Sequence, residues 1–373
     1  MAEERAGETP AVRGGMLLTR EEFRQGVFAR DGGRCVICGA PGVDAHHIVE
    51  RRLFDDGGYY LDNGATLCAD CHVRAEMTVL PCDTIRAAIA AHGGSGRVVL
   101  PPHLYPDQAY DKWGNPILPN GQRLRGELYD DGSVQKILAA GGVLSLFTSH
   151  VRYPRTYHLP WSPGATDDDR VLPDVRHFVG QEVVVTAKMD GEQTTLYTDY
   201  LHARSPDRDS VWSRHPARSW VANLHSQVGW KIPPGWRVCG ENLYARHSIH
   251  YHHLPAWFLV FSVWNEQNVC LPWADTVEWA ALLELQTVPV LYAGRWDEAH
   301  IRALYRPDLG GDELEGYVVR LTGAFAYGAF RRAAAKYVRA GHDQTQAHWW
   351  QGQQVVRNEL ETNADTAPAG GED

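Results

Sequence analysis

Two Cys-x-x-Cys pairs, Cys35/Cys38 and Cys68/Cys71, constrain this chain more than any other local pattern. Two short knuckles of this kind present four thiolates to one point, and a tetrahedral set of four sulfurs is the coordination of a structural Zn2+. Disulfides are the weaker reading. The start, Met1-Ala2-Glu3-Glu4-Arg5, is polar and has no secretory apolar segment, and paired cysteines in a reducing compartment bind metal. A small module without a large core needs such an ion to fold. The other three cysteines, Cys82, Cys239 and Cys270, are expected to be buried apolar residues.

Histidines lie between and after the knuckles, in Asp44-Ala45-His46-His47-Ile48-Val49 and in Cys71-His72, with Asn63 between them. An imidazole titrates near neutral pH, which suits a general base. Over residues 30–77 the arrangement resembles the HNH, or ββα-metal, nucleases. The resemblance implies that His47 activates water and that His46 and His72 hold a catalytic divalent cation. It implies that Asn63 fixes the His47 loop through backbone hydrogen bonds. Glu76 stands where some relatives have a further histidine ligand, and a carboxylate suits Mg2+ or Mn2+. The alternative is a noncatalytic zinc module that docks on nucleic acid or on a protein.

A second constellation is spread over a longer stretch. It comprises Lys188-Met189-Asp190-Gly191, Glu241-Asn242-Leu243-Tyr244, Leu314-Glu315-Gly316-Tyr317-Val318-Val319-Arg320 and Lys336 with Arg339. A lysine amine forms a covalent intermediate when its pKa is depressed, and a neighbouring cation such as Lys336 or a metal has that effect. A carboxylate such as Glu315 can hold a divalent ion. Singly these pieces say little: Lys-x-Asp-Gly is a common surface turn, and Trp257 to Trp264 reads as a buried strand.

Their order and spacing resemble the covalent nucleotidyltransferase superfamily, most closely its ATP-dependent RNA ligases, over about Tyr153 to Trp350. His202-Ala203-Arg204-Ser205, Phe258-Leu259-Val260-Phe261 and the ending from Gly341 to Trp350 extend the likeness. The resemblance implies that Lys188 becomes adenylylated by ATP, with Asp190 and Gly191 in the nucleophile turn and Asp190 near the transferred phosphate. It implies that Arg204 contacts sugar or phosphate, Glu241 the ribose and Phe261 the adenine. Glu315 would bind Mg2+ or Mn2+, and Lys336 the α-phosphate. Related ligases often carry two lysines in the last motif. Here Lys336 stands alone, with Arg339 beyond it.

The fold class expected is α+β: a zinc-stabilised ββα-metal HNH module followed by an antiparallel-sheet nucleotidyltransferase domain. Only 37 residues follow Lys336, which is short for an OB-fold, so none is expected. The boundaries read as 1–15 disordered, 16–95 the HNH zinc module, 96–150 a connector, 151–352 the ligase domain, and 353–373 a largely disordered tail. Helices are expected over Thr19–Arg30, with a Thr19/Glu22 capping box, and over Cys82–His92. Others are expected over Ser133–Leu146 and near 216–227, 275–285 and 297–305. Strands should dominate 181–263 and 315–330. The acidic run Asp167–Asp169 reads as solvated surface.

The net charge of −10 argues against a nonspecific nucleic-acid coat. It leaves room for a local basic track, for which Arg152, Arg155, Arg204, Arg208, Arg214, Arg218, Arg331, Arg332, Lys336 and Arg339 are candidates. No run approaches a membrane span. The combined expectation is a cytoplasmic ATP-dependent RNA ligase fused to a nuclease, acting on nucleic acid, RNA in preference to DNA, with no membrane partner. A nuclease effector whose ligase fold only senses ATP is the other alternative.

Overall fold

A computed structural model describes residues 15–204, 215–309, 311–341 and 355–361. The chain divides into two compact units, 1–149 and 150–373. Several expectations lie outside the described residues: the disordered start up to residue 14, Arg208 and Arg214, the ending from His342 to Trp350, and the tail expected over 353–373 except for residues 355–361, where Asn358 is buried.

The first unit opens with α1 (Arg20–Arg30). Thr19 caps it in the expected capping box, its hydroxyl accepting from Glu22 N while Glu22 accepts from Thr19 N. The helix buries Phe23 and Val27 beside Ala45. Strands β1 (Asp44–His47) and β2 (Gly64–Leu67) pair antiparallel with His46 opposite Ala65 and His47 opposite Gly64. Helix α2 (Ala69–Glu76) follows at once, and α3 (Cys82–Ala91) packs Ile85 and Ile89 against Ile48, Leu67 and Cys71. Cys82, Cys239 and Cys270 are all buried.

The segment read as a connector packs on this module. It forms a small hairpin of β3 (Ala109–Tyr110) and β4 (Pro116–Ile117), then α4 (Gly132–Ala140). Trp113 packs with Val134, Leu138 and Val143 and donates its indole N–H to Glu76 O at 2.9 Å. The helix expected over Ser133–Leu146 is shorter: it starts on the Asp131 cap, ends at Ala140, and resumes after Gly141-Gly142 as a single 3-10 turn at Leu144–Leu146. The glycine pair gives no side chain to continue the helical stripe.

The second unit is a mixed α/β structure built on two sheets. One has the order β13-β6-β16-β18-β5, where β5 is Tyr157–His158, β6 Glu182–Lys188, β13 Val290–Arg295, β16 Gly316–Leu321 and β18 Ala334–Val338. The other has the order β17-β11-β10-β9-β7-β8, with β12 (Gln286–Thr287) beside β10. Its strands are β7 (Glu192–Leu196), β8 (Leu201–His202), β9 (Arg237–Asn242), β10 (Phe258–Trp264), β11 (Val269–Cys270) and β17 (Phe325–Ala326). Helices α5 (Pro216–Val228), α6 (Trp273–Leu282), α7 (Glu298–Arg302) and α8 (Phe330–Ala333) and the hairpin β14 (Asp308–Leu309) with β15 (Asp312–Glu313) complete the unit. The helix expected near 297–305 is only the five residues of α7, capped by Asp297. No helix among the described residues is long and apolar enough to cross a membrane.

Alternation along the strands decides which side chains face the cleft. On β6, Val183 and Val185 enter a core with Phe178, Ile301, Tyr317 and Val319, while Thr186 and Lys188 line the cleft. On β16 Tyr317 and Val319 face that core, and Val318 and Arg320 the cleft. On β18 Ala335 faces the core and Lys336 the cleft. The register Thr186–Val318–Lys336 lines these residues up across three strands.

Candidate functional site

The second unit holds a cavity of about 890 Å3, lined by Lys188, Asp190, Gly191, Arg204, Glu241, Phe261, Glu315 and Lys336 among others. Its size falls in the roughly 300–1,000 Å3 range of small-ligand pockets. Residues separated by up to 148 positions in sequence (Lys188 to Lys336) thus meet in one place. Lys188 ends β6, and its Nζ lies 2.6 Å from both carboxylate oxygens of Glu315. Glu315 sits just before Gly316, which is paired with Lys188 across the ladder. A side chain on Gly316 would come within 2.0 Å of Tyr337 O, so this close approach of β16 to β18 requires glycine. Gly191 donates to Glu241 Oε1 at 3.2 Å, and a Cβ there would lie 2.5 Å from Asn242 O.

Asp190 anchors a loop. Its Oδ2 accepts from Ser248 N (2.8 Å), Ser248 Oγ (2.6 Å) and Ile249 N (2.8 Å), and its own N–H donates to the Tyr251 hydroxyl at 2.9 Å. Phe261 occupies a bulge: the β10/β9 register slips between Val260 and Ser262. A bulge re-aims a side chain, and here it turns Phe261 out of the strand alternation into the cavity, edge-on to Tyr153 at 5.2 Å. Phe258 stays in the core. Arg204 lines the cavity, with Arg152 and Arg155 as like-charged neighbours. Arg339 does not line it. Its guanidinium pairs with Glu313 at 2.6 Å, while its backbone N–H donates to Glu315 O.

The two lysines of the cavity differ in their electrostatics. Burial alone pulls the Lys188 amine down, but the carboxylates of Glu315, Glu241 and Asp190 more than reverse this and hold it above the ordinary lysine value. Lys336 is the depressed lysine: burial first, then the Lys188 charge, bring it to about 8. Glu241 is pushed up to about 8, chiefly by burial, with Lys188 opposing and Glu315 and Asp190 adding to the rise. Glu315, Glu241 and Asp190 crowd around the Lys188 amine, and carboxyl groups so placed suit a divalent cation.

The acidic run is also not simply solvated surface. Asp169 is nearly buried and lines the cavity, 3.8 Å from Lys336 Nζ and 3.4 Å from His158 Nε2. Parallel pairing of β5 with β18 sets His158 beside Lys336, and His158 Nδ1 bonds Ser162. Sequence reasoning missed Asp169, His158 and Ser248. None carries a local signal, because each is brought in by strand pairing or by a loop.

In the first unit the four knuckle sulfurs converge, with Cys38 Sγ 3.6 Å from Cys68 Sγ and 3.9 Å from Cys71 Sγ. A tetrahedral ion with bonds of about 2.3 Å to sulfur has sulfur–sulfur edges of about 3.8 Å, so the set fits. For Cys35 burial opposes ionisation, but N–H groups of Cys68, Cys38 and Ile37 outweigh it and draw the thiol down to about 7. Burial and the neighbouring thiols push Cys71 up.

A second cluster joins His46, His72 and Glu76. Glu76 Oε1 lies 3.3 Å from His46 Nδ1 and 3.4 Å from His72 Nε2, and Asp44 Oδ2 is 3.4 Å from the same His72 nitrogen. His46 is buried, and neither ring nitrogen has a well-aligned hydrogen bond among the described residues, which fits a metal ligand. His47 stacks on Phe23 at 4.5 Å, with Tyr59 edge-on. Burial first, then Lys112, lowers His47 to about 4, so its imidazole is neutral at neutral pH. Asn63 clamps the next turn: Oδ1 accepts from Val49 N at 2.9 Å, and Nδ2 donates to Val49 O and Gly58 O. Lys112 and Glu50 complete this centre and were not anticipated. The available signal was scarcity: the chain has five lysines against 31 arginines, and Lys112 lies in a turn-rich aromatic stretch.

Against known families, residues 181–338 match the RNA ligase family and residues 35–76 match the HNH endonuclease family. The chain therefore resembles a fusion of an HNH endonuclease module to an RNA ligase domain. Among solved structures it is similar to a Naegleria gruberi RNA ligase mutant with ATP and Mn (16% identity, TM-score 0.36, 52% of this chain and 57% of that one). It is also similar to the Naegleria gruberi RNA ligase with PPi (16%, 0.34, 52% and 56%) and an archaeal ATP-dependent RNA ligase (16%, 0.33, 51% and 48%). The chain thus spans about half the length of these ligases. No curated protein matches it.

Proposed function

We propose that the chain is an ATP-dependent RNA ligase that forms a lysyl-AMP intermediate on Lys188, fused to a metal-dependent HNH nuclease, and that it repairs or processes RNA in the cytoplasm. The observation that carries the ligase reading is the meeting of Lys188, Glu241, Glu315 and Lys336 in one cavity. The Lys188 amine attacks the α-phosphate of ATP. A P–N bond forms, the bond to pyrophosphate breaks, and the amine proton is lost. AMP then passes to a 5′-phosphate on the nucleic acid, and a 3′-hydroxyl displaces AMP to seal the strand.

Lys336 supplies positive charge where the α-phosphate gathers negative charge. Asp169 and His158 orient it. Phe261, held edge-on by Tyr153, offers a flat face to the adenine, and Glu241 reaches the ribose. Asp190 fixes the 248–251 loop beside the nucleophile turn. Mg2+ or Mn2+ on Glu315 would neutralise triphosphate charge and draw that carboxylate from the Lys188 amine.

In the first unit β1, β2 and α2 are read as the ββα-metal module, in which Cys35, Cys38, Cys68 and Cys71 would hold Zn2+ as the structural ion. His47, neutral and stacked, takes a proton from the attacking water. His46, His72 and Glu76 would hold Mg2+ or Mn2+ to stabilise charge on the phosphodiester.

The test uses labelled ATP and labelled RNA and DNA in Mg2+ and in Mn2+. Lys188→Ala and Lys188→Arg should abolish protein-bound AMP, since a guanidinium stays protonated and cannot attack. His47→Ala should remove cutting, by about 10²–10⁴-fold, and leave protein-bound AMP unchanged. Label surviving in Lys188→Ala would place the nucleophile elsewhere. A wild type that cuts neither substrate would favour the docking-module alternative.

A further inference from the structure

Lys112 lies outside the residues that match the HNH family, on the turn of the β3–β4 hairpin. Its side chain is only 4% exposed. The ammonium has three donors and three acceptors: Glu50 Oε2 at 3.2 Å, Glu76 Oε1 at 3.2 Å and His47 O at 3.1 Å. Glu50 is tied to the same residue again, its N–H donating to Lys112 O at 2.9 Å. A buried ammonium so fully satisfied is built into the centre.

We propose that Lys112 is the resident counter-ion of the nuclease metal site, holding Glu76 when no divalent cation is bound and giving it up when one enters. The inference rests on the reading of His46, His72 and Glu76 as that site.

The geometry supports an exchange. Glu76 Oε1 is approached by His46, His72 and Lys112 together. A divalent ion on this oxygen and an ammonium in contact with it repel each other. Lys112 has somewhere to go: Glu50 and His47 O remain as partners after Glu76 is released. The ammonium therefore stays buried and paired, and it keeps its hold on the backbone of His47. Two consequences follow. Glu50 and Glu76 already share a cation before metal arrives, so the folding of the centre does not depend on that ion. Its divalent affinity is also set lower than the donor set alone would give, because the ion must displace a cation. The segment after residue 96 thereby sets the metal demand of a site whose ligands lie before residue 77.

The test is Mn2+ binding to the full-length, zinc-loaded protein, followed by electron paramagnetic resonance, with His72→Ala measured in parallel. The excess of wild type over His72→Ala isolates this site from other Mn2+ sites in the chain. Lys112→Met should bind Mn2+ about tenfold more tightly, as expected for removing a like charge a few ångströms away even under the screening of water. Glu50→Gln should shift binding the other way, several-fold weaker, because Lys112 loses its charged alternative partner and stays on Glu76. Circular dichroism and zinc content check the fold of each variant, and Glu50→Gln carries the test alone if Lys112→Met does not fold. Unchanged or weaker binding in a folded Lys112→Met, or unchanged binding in Glu50→Gln, would overturn the counter-ion role and leave Lys112 as a structural clamp. Equal Mn2+ uptake by wild type and His72→Ala would instead remove the divalent site itself, and the inference with it.

Discussion

Replacing Glu315 by Gln should make the Lys188 amine more reactive and the ligase inactive. The carboxylate holds the ammonium at 2.6 Å from both oxygens. Even under full water screening, two unit charges at that distance interact by about 1.6 kcal/mol, a little over tenfold in the proton affinity of the amine. Burial acts in the same direction once the partner is neutral, since it disfavours the charged form. The neutral fraction of Lys188 at pH 8 should therefore rise at least about tenfold in Glu315→Gln. Competitive labelling with a small acylating reagent, read by mass spectrometry, measures this directly. The side chain is 25% exposed, so the reagent can reach it, and Lys136, exposed in the other unit, is the internal reference. Protein-bound AMP from ATP and Mg2+ should fall to background in the same variant, because the carboxylate proposed to hold the cation is gone. Unchanged Lys188 labelling would show that Glu315 does not hold the nucleophile protonated, and the electrostatic reasoning would fail. Retained AMP labelling would show that Glu315 is not needed for the cation.

Purified protein should carry about one tightly held Zn2+ per chain by elemental analysis. Replacing Cys68 and Cys71 together by Ser should remove it and unfold the cysteine–histidine module while sparing lysyl-AMP formation; a zinc-free chain with that module intact by circular dichroism would contradict this. For Lys336, a base depressed to about 8 in the folded chain from an ordinary 10.5, the native state is penalised at neutral pH, and the penalty fades as pH rises from 8 to 10.5. Lys336→Met should thus stabilise the protein by about 1–3 kcal/mol more at pH 7 than at pH 10.5 in urea denaturation, and a gain equal at both pH values would refute the shift.

The sequence by itself determined the chemistry on offer and much of the local structure. The Thr19/Glu22 box forms because both partners lie within one helical turn, so nothing distant is required. The knuckles are legible for the same reason: each Cys-x-x-Cys is a local turn that aims two thiols one way. Lys188, Glu241, Glu315 and Lys336 could be picked out by type and order, and strand alternation then delivers them to one cavity. Tertiary structure alone decided their state. Whether Lys188 or Lys336 is the depressed lysine depends on which carboxylates face which amine, and that is fixed by the pairing of β6 with β16 and β18. Asp169 looked like surface because its neighbours in sequence are acidic, but its neighbours in space are His158 and Lys336. Phe261 needed a bulge, which no alternation pattern announces. Lys112 shows the limit most plainly: it lies 36 residues beyond Glu76, and only the folding back of its hairpin brings its charge to Glu50, Glu76 and His47. Coulomb and hydrogen-bond energies depend on distances of a few ångströms, and distances between residues far apart in the chain are set by the fold.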